Sequence, residues 1–127
     1  MREILFRGKR KDTHEWVMGG YCEEADSGRT YIAFWNSFGL GFLDFTEVYP
    51  KSVGQYTGLT DENGTKIFEG DIVQTMNDDI AIIQYDEEDA MFYMNDDNVL
   101  TNFGIVSPKW LEVIGNIHDN PELIGNI

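Results

Sequence analysis

Apolar and polar residues alternate along this chain in short runs, each cut off by Gly, Pro, Asn or Asp, and a period of two predicts β-strands with one buried side. Glu3 to Arg7 alternates in this way, and Glu15 to Met18 is its expected partner across the polar segment Lys9 to Thr13. Arg29 to Trp35 and Leu43 to Tyr49 follow, separated by the loop Asn36 to Gly41. Pro50 has no N–H to give a ladder, so it should end the last of these strands. Strands joined in sequence predict a β-meander over residues 1–54.

Residues 55–127 form the second expected subdomain, organised around Tyr56 to Thr75, YTGLTDENGTKIFEGDIVQT. Asn63-Gly64 is the pair that most readily supplies positive φ to a hairpin turn, so Tyr56 to Leu59 should fold back onto Lys66 to Glu69. Gly70 can take a strained corner before the β-branched pair Ile72-Val73, and Asp71 can accept a bond from nearby turn N–H groups. Asn63, Gly64, Gly70 and Asp71 are therefore predicted to be structural and not catalytic. Ile80 to Tyr85 and Met91 to Met94 continue as antiparallel strands, Val99 to Val106 is interrupted by Asn102 and Gly104, and Trp110 to Ile114 reads as a closing strand. Asn120-Pro121-Glu122 is the one clear helix start, with Asn as N-cap and Pro at the first helical position, and the helix must be short.

Composition adds a charge asymmetry. The net charge is −14 over 127 residues. Seven Lys and Arg stand against eight Asp and Glu up to Gln55, but two against fifteen from Tyr56 onward, net charges of −1 and −13. Such a field repels nucleic-acid backbones and anionic membranes and favours cationic partners. Cys22 is the single cysteine, so no internal disulfide forms, and the start MREILFRGKRK lacks the apolar stretch of a signal peptide. No apolar run approaches the roughly 20 residues of a membrane helix. The expected location is the cytoplasm.

Three stretches, REILFRG at 2–8, VGQYTGLTDENGTKIFEGDIV at 53–73 and EVIGNIHDNPEL at 112–123, resemble the YopX family of phage and prophage proteins. The resemblance implies a β-rich protein of a bacterial or phage-infected cytoplasm, with a small SH3-type barrel after the EGDIV corner. It implies no activity and no catalytic residues. Gly19 to Thr46 falls outside the three stretches. With the residue pattern, the expected fold is all-β and mostly antiparallel, an N-terminal meander followed by a small SH3-type barrel and one short C-terminal helix.

His14, Cys22 and His118 have no structural-zinc spacing. Asp61-x-Asn63 with Glu69 has the glycine and the twelfth ligand of a calcium loop in the wrong places, and a turn explains these residues better. There is no G-x-S-x-G and no P-loop, and Gly39-Leu40-Gly41 lacks the third glycine of a dinucleotide site. Gly39 to Phe45 approximates the aromatic strand of an RNA-recognition sheet, but the basic residue, one aromatic and both helices are missing. No cofactor and no enzymatic activity are expected.

Two charged groups are left. Alternate loops of a meander fall at one end, which should bring Asp78 and Asp79 beside Asp96 and Asp97. Four carboxylates could recruit a divalent cation, although charged loops also keep a strand-rich protein soluble, and that plainer reading is preferred. Arg2, Arg7, Lys9, Arg10 and Lys11 hold five of the nine basic residues and could engage the acidic part of another copy. The reading that best fits is a non-enzymatic protein-interaction or assembly module, a homo-oligomer or the partner of a cationic host or phage protein. An acidic decoy imitating DNA is the second reading, and direct nucleic-acid binding through the basic residues the third.

Overall fold

Runs that alternate can bury only one of their sides, and the first of them do so by pairing in chain order. The computed structural model describes residues 2–35, 43–96, 99–102 and 110–125, which fall into two units, Met1–Tyr56 and Thr57–Ile127. In the first, β1 (Phe6–Lys9), β2 (Trp16–Glu23), β3 (Thr30–Trp35) and β4 (Leu43–Glu47) lie in the order β4-β3-β2-β1, all antiparallel. The start of β5 (Gly54–Thr60) pairs with the other edge of β1. A single 3-10 turn, Pro50–Ser52, joins β4 to β5. The chain passes between the two units within β5.

The meander is as the pattern predicts, but the strand limits differ, most of all in the first two. The first begins at Phe6 instead of Glu3, and the second runs eight residues, to Glu23. The reason lies in Gly19-Gly20. Trp16 to Gly19 pair with β1, whereas Gly20 to Glu23 pair with β3, so the strand changes partner between the two glycines. A side chain at Gly19 would overlap the carbonyl of Ala33, and only glycine lets the two backbones approach so closely. Thr30, Ile32, Thr46 and Val48 are buried, and Val48 packs on the bare face of Gly8. Arg10 forms a β-bridge with Val48, and buried Ser52 accepts a bond from the Lys9 N–H at 2.8 Å while donating to the Tyr49 carbonyl at 2.6 Å.

In the second unit the rest of β5 and β6 (Lys66–Phe68) are followed by β7 (Asp71–Gln74), β8 (Ile80–Asp86), β9 (Met91–Asp96), β10 (Val99–Asn102) and β11 (Glu112–Asn116). The last five make an antiparallel sheet in the order β10-β9-β8-β7-β11. Its apolar side contributes Val73, Ala81, Ile83 and Met94 to a core completed by Ile67 and Leu111, with Phe92 and Val113 against it.

Among the described residues the sheets are not closed into the barrel expected from the resemblance. Closure needs a continuous ladder around the sheet, and among the described residues β10 and β11 remain its two edges. Ile67 and Leu111 close the core by packing, which removes apolar area from water without a ladder. The C-terminal helix is likewise reduced to a 3-10 turn, Pro121–Ile124. Asn120 does not cap it with its side chain; its Oδ1 accepts the Asn116 N–H at 3.2 Å and so points back toward β11. Gly125, at φ 61°, ends the turn.

Candidate functional site

Register places the acidic turns of the second unit. Val73 stands opposite Ala81 and Ile83 opposite Met94, so residues two positions beyond them continue the same side of the sheet toward one end. There the chain turns from β7 to β8: the Thr75 N–H donates to the Asp79 carbonyl at 2.8 Å, and Thr75 Oγ1 accepts the N–H groups of Asn77 and Asp79. Asp78 takes the left-handed position, φ 65°, which an Asp tolerates better than most residues. Asp79 is thereby turned to the apolar side, where Asp96 arrives two residues after Met94.

Both carboxylates line one cavity of about 400 Å³, with Ala81 and Met94 as its apolar part and Thr75, Thr101, Met76 and Trp110 around it. Met76 is 70% and Trp110 57% exposed. Of the four acids proposed from sequence, Asp79 and Asp96 share this cavity, Asp78 serves the turn, and Asp97 lies outside the described residues. Among the described residues no group of three or more His, Cys, Asp or Glu could hold a metal ion. Asp86 sits in the next turn, where its Oδ1 accepts the Glu88 N–H at 2.9 Å.

The first unit presents a different surface. Trp35 lies opposite Leu43, Ala33 opposite both Phe45 and Gly20, and Met18 two positions before Gly20, so these residues share one side of the sheet. Met18, Leu43, Phe45 and Trp35 are 49, 49, 55 and 70% exposed, while nothing would touch a side chain at Gly20. The segment 39–42 of the RNA-recognition near-match lies outside the described residues.

The basic residues proposed as an interaction site are largely engaged at home. Arg7 is buried on β1 with its guanidinium 4.9 Å from the centre of the Trp16 ring. Arg10 pairs with Asp12 through two bonds of 3.0 Å, which holds the Asp12 carboxyl below its ordinary range and raises the guanidinium. Lys11 Nζ lies 2.8 Å from Glu47 Oε2 and holds that carboxyl down in the same way. Lys9 is half-buried, and Arg2 is exposed.

At the corner, Gly64 is at φ 80° and Gly70 at φ 91°. Asn63 is not left-handed: the Gly64 N–H returns to the Asp61 carbonyl at 3.1 Å and the Asp61 N–H bonds the Thr65 carbonyl, so the hairpin needs one positive φ and not two. The Gly70 N–H donates to the Ile83 carbonyl, and Asp71 Oδ2, fully buried, accepts the Phe68 N–H at 2.7 Å. Asp61, a turn residue by its sequence, is also buried, and its two oxygens accept the N–H groups of Asn63, Thr65 and Val113. Its position two before Asn-Gly signals the local bonds. Nothing local signals the bond to Val113.

A family model described as YopX protein matches residues 5–125. The chain belongs to the YopX family. The matched range spans 19–46 as well. No curated protein matches the chain in sequence. The fold is similar to that in the crystal structure of protein EF1440 from Enterococcus faecalis, with a TM-score of 0.58 and 23% identity over 98% of this chain and 99% of that one. That similarity establishes a shared fold for this YopX protein. No helix among the described residues is long and apolar enough to cross a membrane.

Proposed function

We propose that this YopX-family protein is a non-enzymatic assembly module of a phage- or prophage-bearing bacterial cytoplasm, and that it associates with a second copy of itself through the N-terminal sheet. The observation that carries this reading is the shared exposed face of Met18, Trp35, Leu43 and Phe45. Monomers rarely leave large apolar side chains grouped on one surface, and a two-fold contact would cover both copies of the face at once. The first unit's thiol and its imidazole are engaged in packing contacts: Cys22 donates to the Tyr31 carbonyl, and His14 pairs with Tyr49. The basic residues support association or nucleic-acid binding less well, because Arg7 is buried and Arg10 and Lys11 already have carboxylate partners.

Sedimentation over a concentration series at low and high salt tests the proposal. Association should persist in high salt, where exposed ion pairs are screened, and should be lost in a Trp35→Ser, Phe45→Ser double variant that keeps the parent's circular dichroism. A parent that stays monomeric, or one whose association vanishes with salt, overturns it.

A further inference from the structure

The cavity of residues 57–127 combines features that no single simple ligand class shares. Ala81 and Met94 are buried members of the core, so its inner wall is apolar. Asp79 and Asp96 stand on the same cavity, and among the described residues neither carboxylate is bonded by another side chain. Trp110 adds an exposed aromatic ring, and Met76 an exposed thioether.

A purely apolar ligand would strip water from two carboxylates without replacing it, which is unfavourable. A hard cation would want a shell of oxygens, and among the described residues only Asp79 and Asp96 bring acids to the cavity. An amphipathic cation suits these described residues: its aliphatic stem would lie against Ala81 and Met94, and its charged head would face Asp79 and Asp96 in the cavity that Trp110 also lines. A planar guanidinium suits this set better than an ammonium, because it stacks on an aromatic ring while donating to carboxylates from its edge. The volume of about 400 Å³ is at the small end of ligand pockets, fit for one side chain with its neighbours and not for a folded surface. The sequence from Tyr56 onward, at −13, would attract such a segment over longer range.

We infer that the cavity lined by Asp79, Asp96 and Trp110 receives an arginine side chain of a partner polypeptide. This site is separate from the N-terminal sheet face and does not rest on its proposed role.

The test is a nuclear magnetic resonance titration of the full chain with short Gly-Ser peptides that carry Arg, Lys, norleucine or Glu at the centre. The Arg peptide should shift the Trp110 indole and Ala81 amide signals saturably, with the norleucine and Glu peptides inert. An Asp79→Asn, Asp96→Asn double variant, isosteric and folded by its unchanged spectrum, should bind at least tenfold more weakly. Trp110→Leu should weaken the Arg peptide more than the Lys peptide, with Ala81 as the reporter. No shift with Arg, equal shifts with norleucine, or unaltered binding by the double variant overturns the site. Equal affinity for Lys overturns the guanidinium assignment, free arginine binding as tightly as the peptide overturns the polypeptide partner, and the same shifts from Ca²⁺ alone overturn the organic cation. The Trp35 and Phe45 variants leave this cavity intact, so failure here and failure of self-association are read separately.

Discussion

Asp61 Oδ2 accepts the backbone N–H of Val113 at 2.9 Å across 52 residues of sequence. Its other oxygen holds Asn63 and Thr65 within the turn, so one buried carboxylate joins the hairpin after β5 to the strand that borders β7. The neighbouring backbone bond from the Glu62 N–H to the Leu111 carbonyl, 3.0 Å, reinforces the same junction. Asp61→Ala would leave three N–H groups without their acceptor. Hydrogen bonds to a charged group contribute about 1.5–3 kcal/mol each, and partial rehydration makes the total less than their sum, so a loss of about 3 kcal/mol is expected. Urea unfolding measures it; a loss below about 1 kcal/mol would mean that water replaces the carboxylate freely.

The same residue sets an acid sensitivity. Burial alone would push the Asp61 carboxyl up, but the N–H groups of Val113, Thr65 and Asn63 together hold it below its ordinary value of 3.8. A folded pKa lower than the unfolded one means that the ionised form stabilises the fold above the unfolded value. That contribution is lost as pH falls through the folded value. The stability gap between the parent and Asp61→Asn should therefore be full near neutrality and shrink below about pH 4. Denaturant midpoints at several pH values check this, and a gap that widens in acid would contradict the assignment. Asp12 and Glu47 are also held down, but Asp12 is exposed and Glu47 only partly buried, and such pairs near the surface add little.

Gly70→Val and Asp71→Ala should both lower the melting temperature. At φ 91° a side chain at Gly70 costs on the order of 1–2 kcal/mol, and the corner cannot relax easily because its N–H is held by Ile83 and its carbonyl by Ile117. Asp71→Ala leaves the buried Phe68 N–H without its acceptor, a cost of about 1–3 kcal/mol. Asp96→Asn should leave the melt nearly unchanged. Thermal melts of the three variants separate the roles: equal stability throughout would remove the structural account of the corner.

Gly19 and Gly20, adjacent in β2, should respond in opposite ways to alanine. The methyl group of Gly19→Ala would overlap the Ala33 carbonyl, which is backbone and cannot swing aside, so β2 and β3 must separate. Gly20→Ala meets nothing and removes unfolded-state freedom, which should stabilise by about 0.4–1 kcal/mol. Changes in unfolding free energy of the same sign for both variants, relative to the parent, would contradict the register.

Local chemistry is what the sequence by itself determined. Period-two runs and turn residues act within a few positions, so the strands, the left-handed Gly64 and Gly70 and the local bond of Asp71 could be read from their own segments, and the charge asymmetry by counting. The tertiary structure decided everything that depends on which strand meets which. Many short strands offer the same N–H and C=O groups, and the choice among them is made by burial over the whole unit. That choice puts β5 on the edge of β1, sets β11 beside β7 with Asp61 reaching Val113, and leaves β10 and β11 as sheet edges among the described residues. It also sends Asn120 back to Asn116 instead of forward into a helix, and spends the charges of Arg10 and Lys11 on Asp12 and Glu47. That the turns carrying Asp79 and Asp96 fall at one end was legible because hairpin alternation is a local rule, but the apolar wall and Trp110 of the cavity they line were not, since residues distant in sequence meet there only once the sheet has formed.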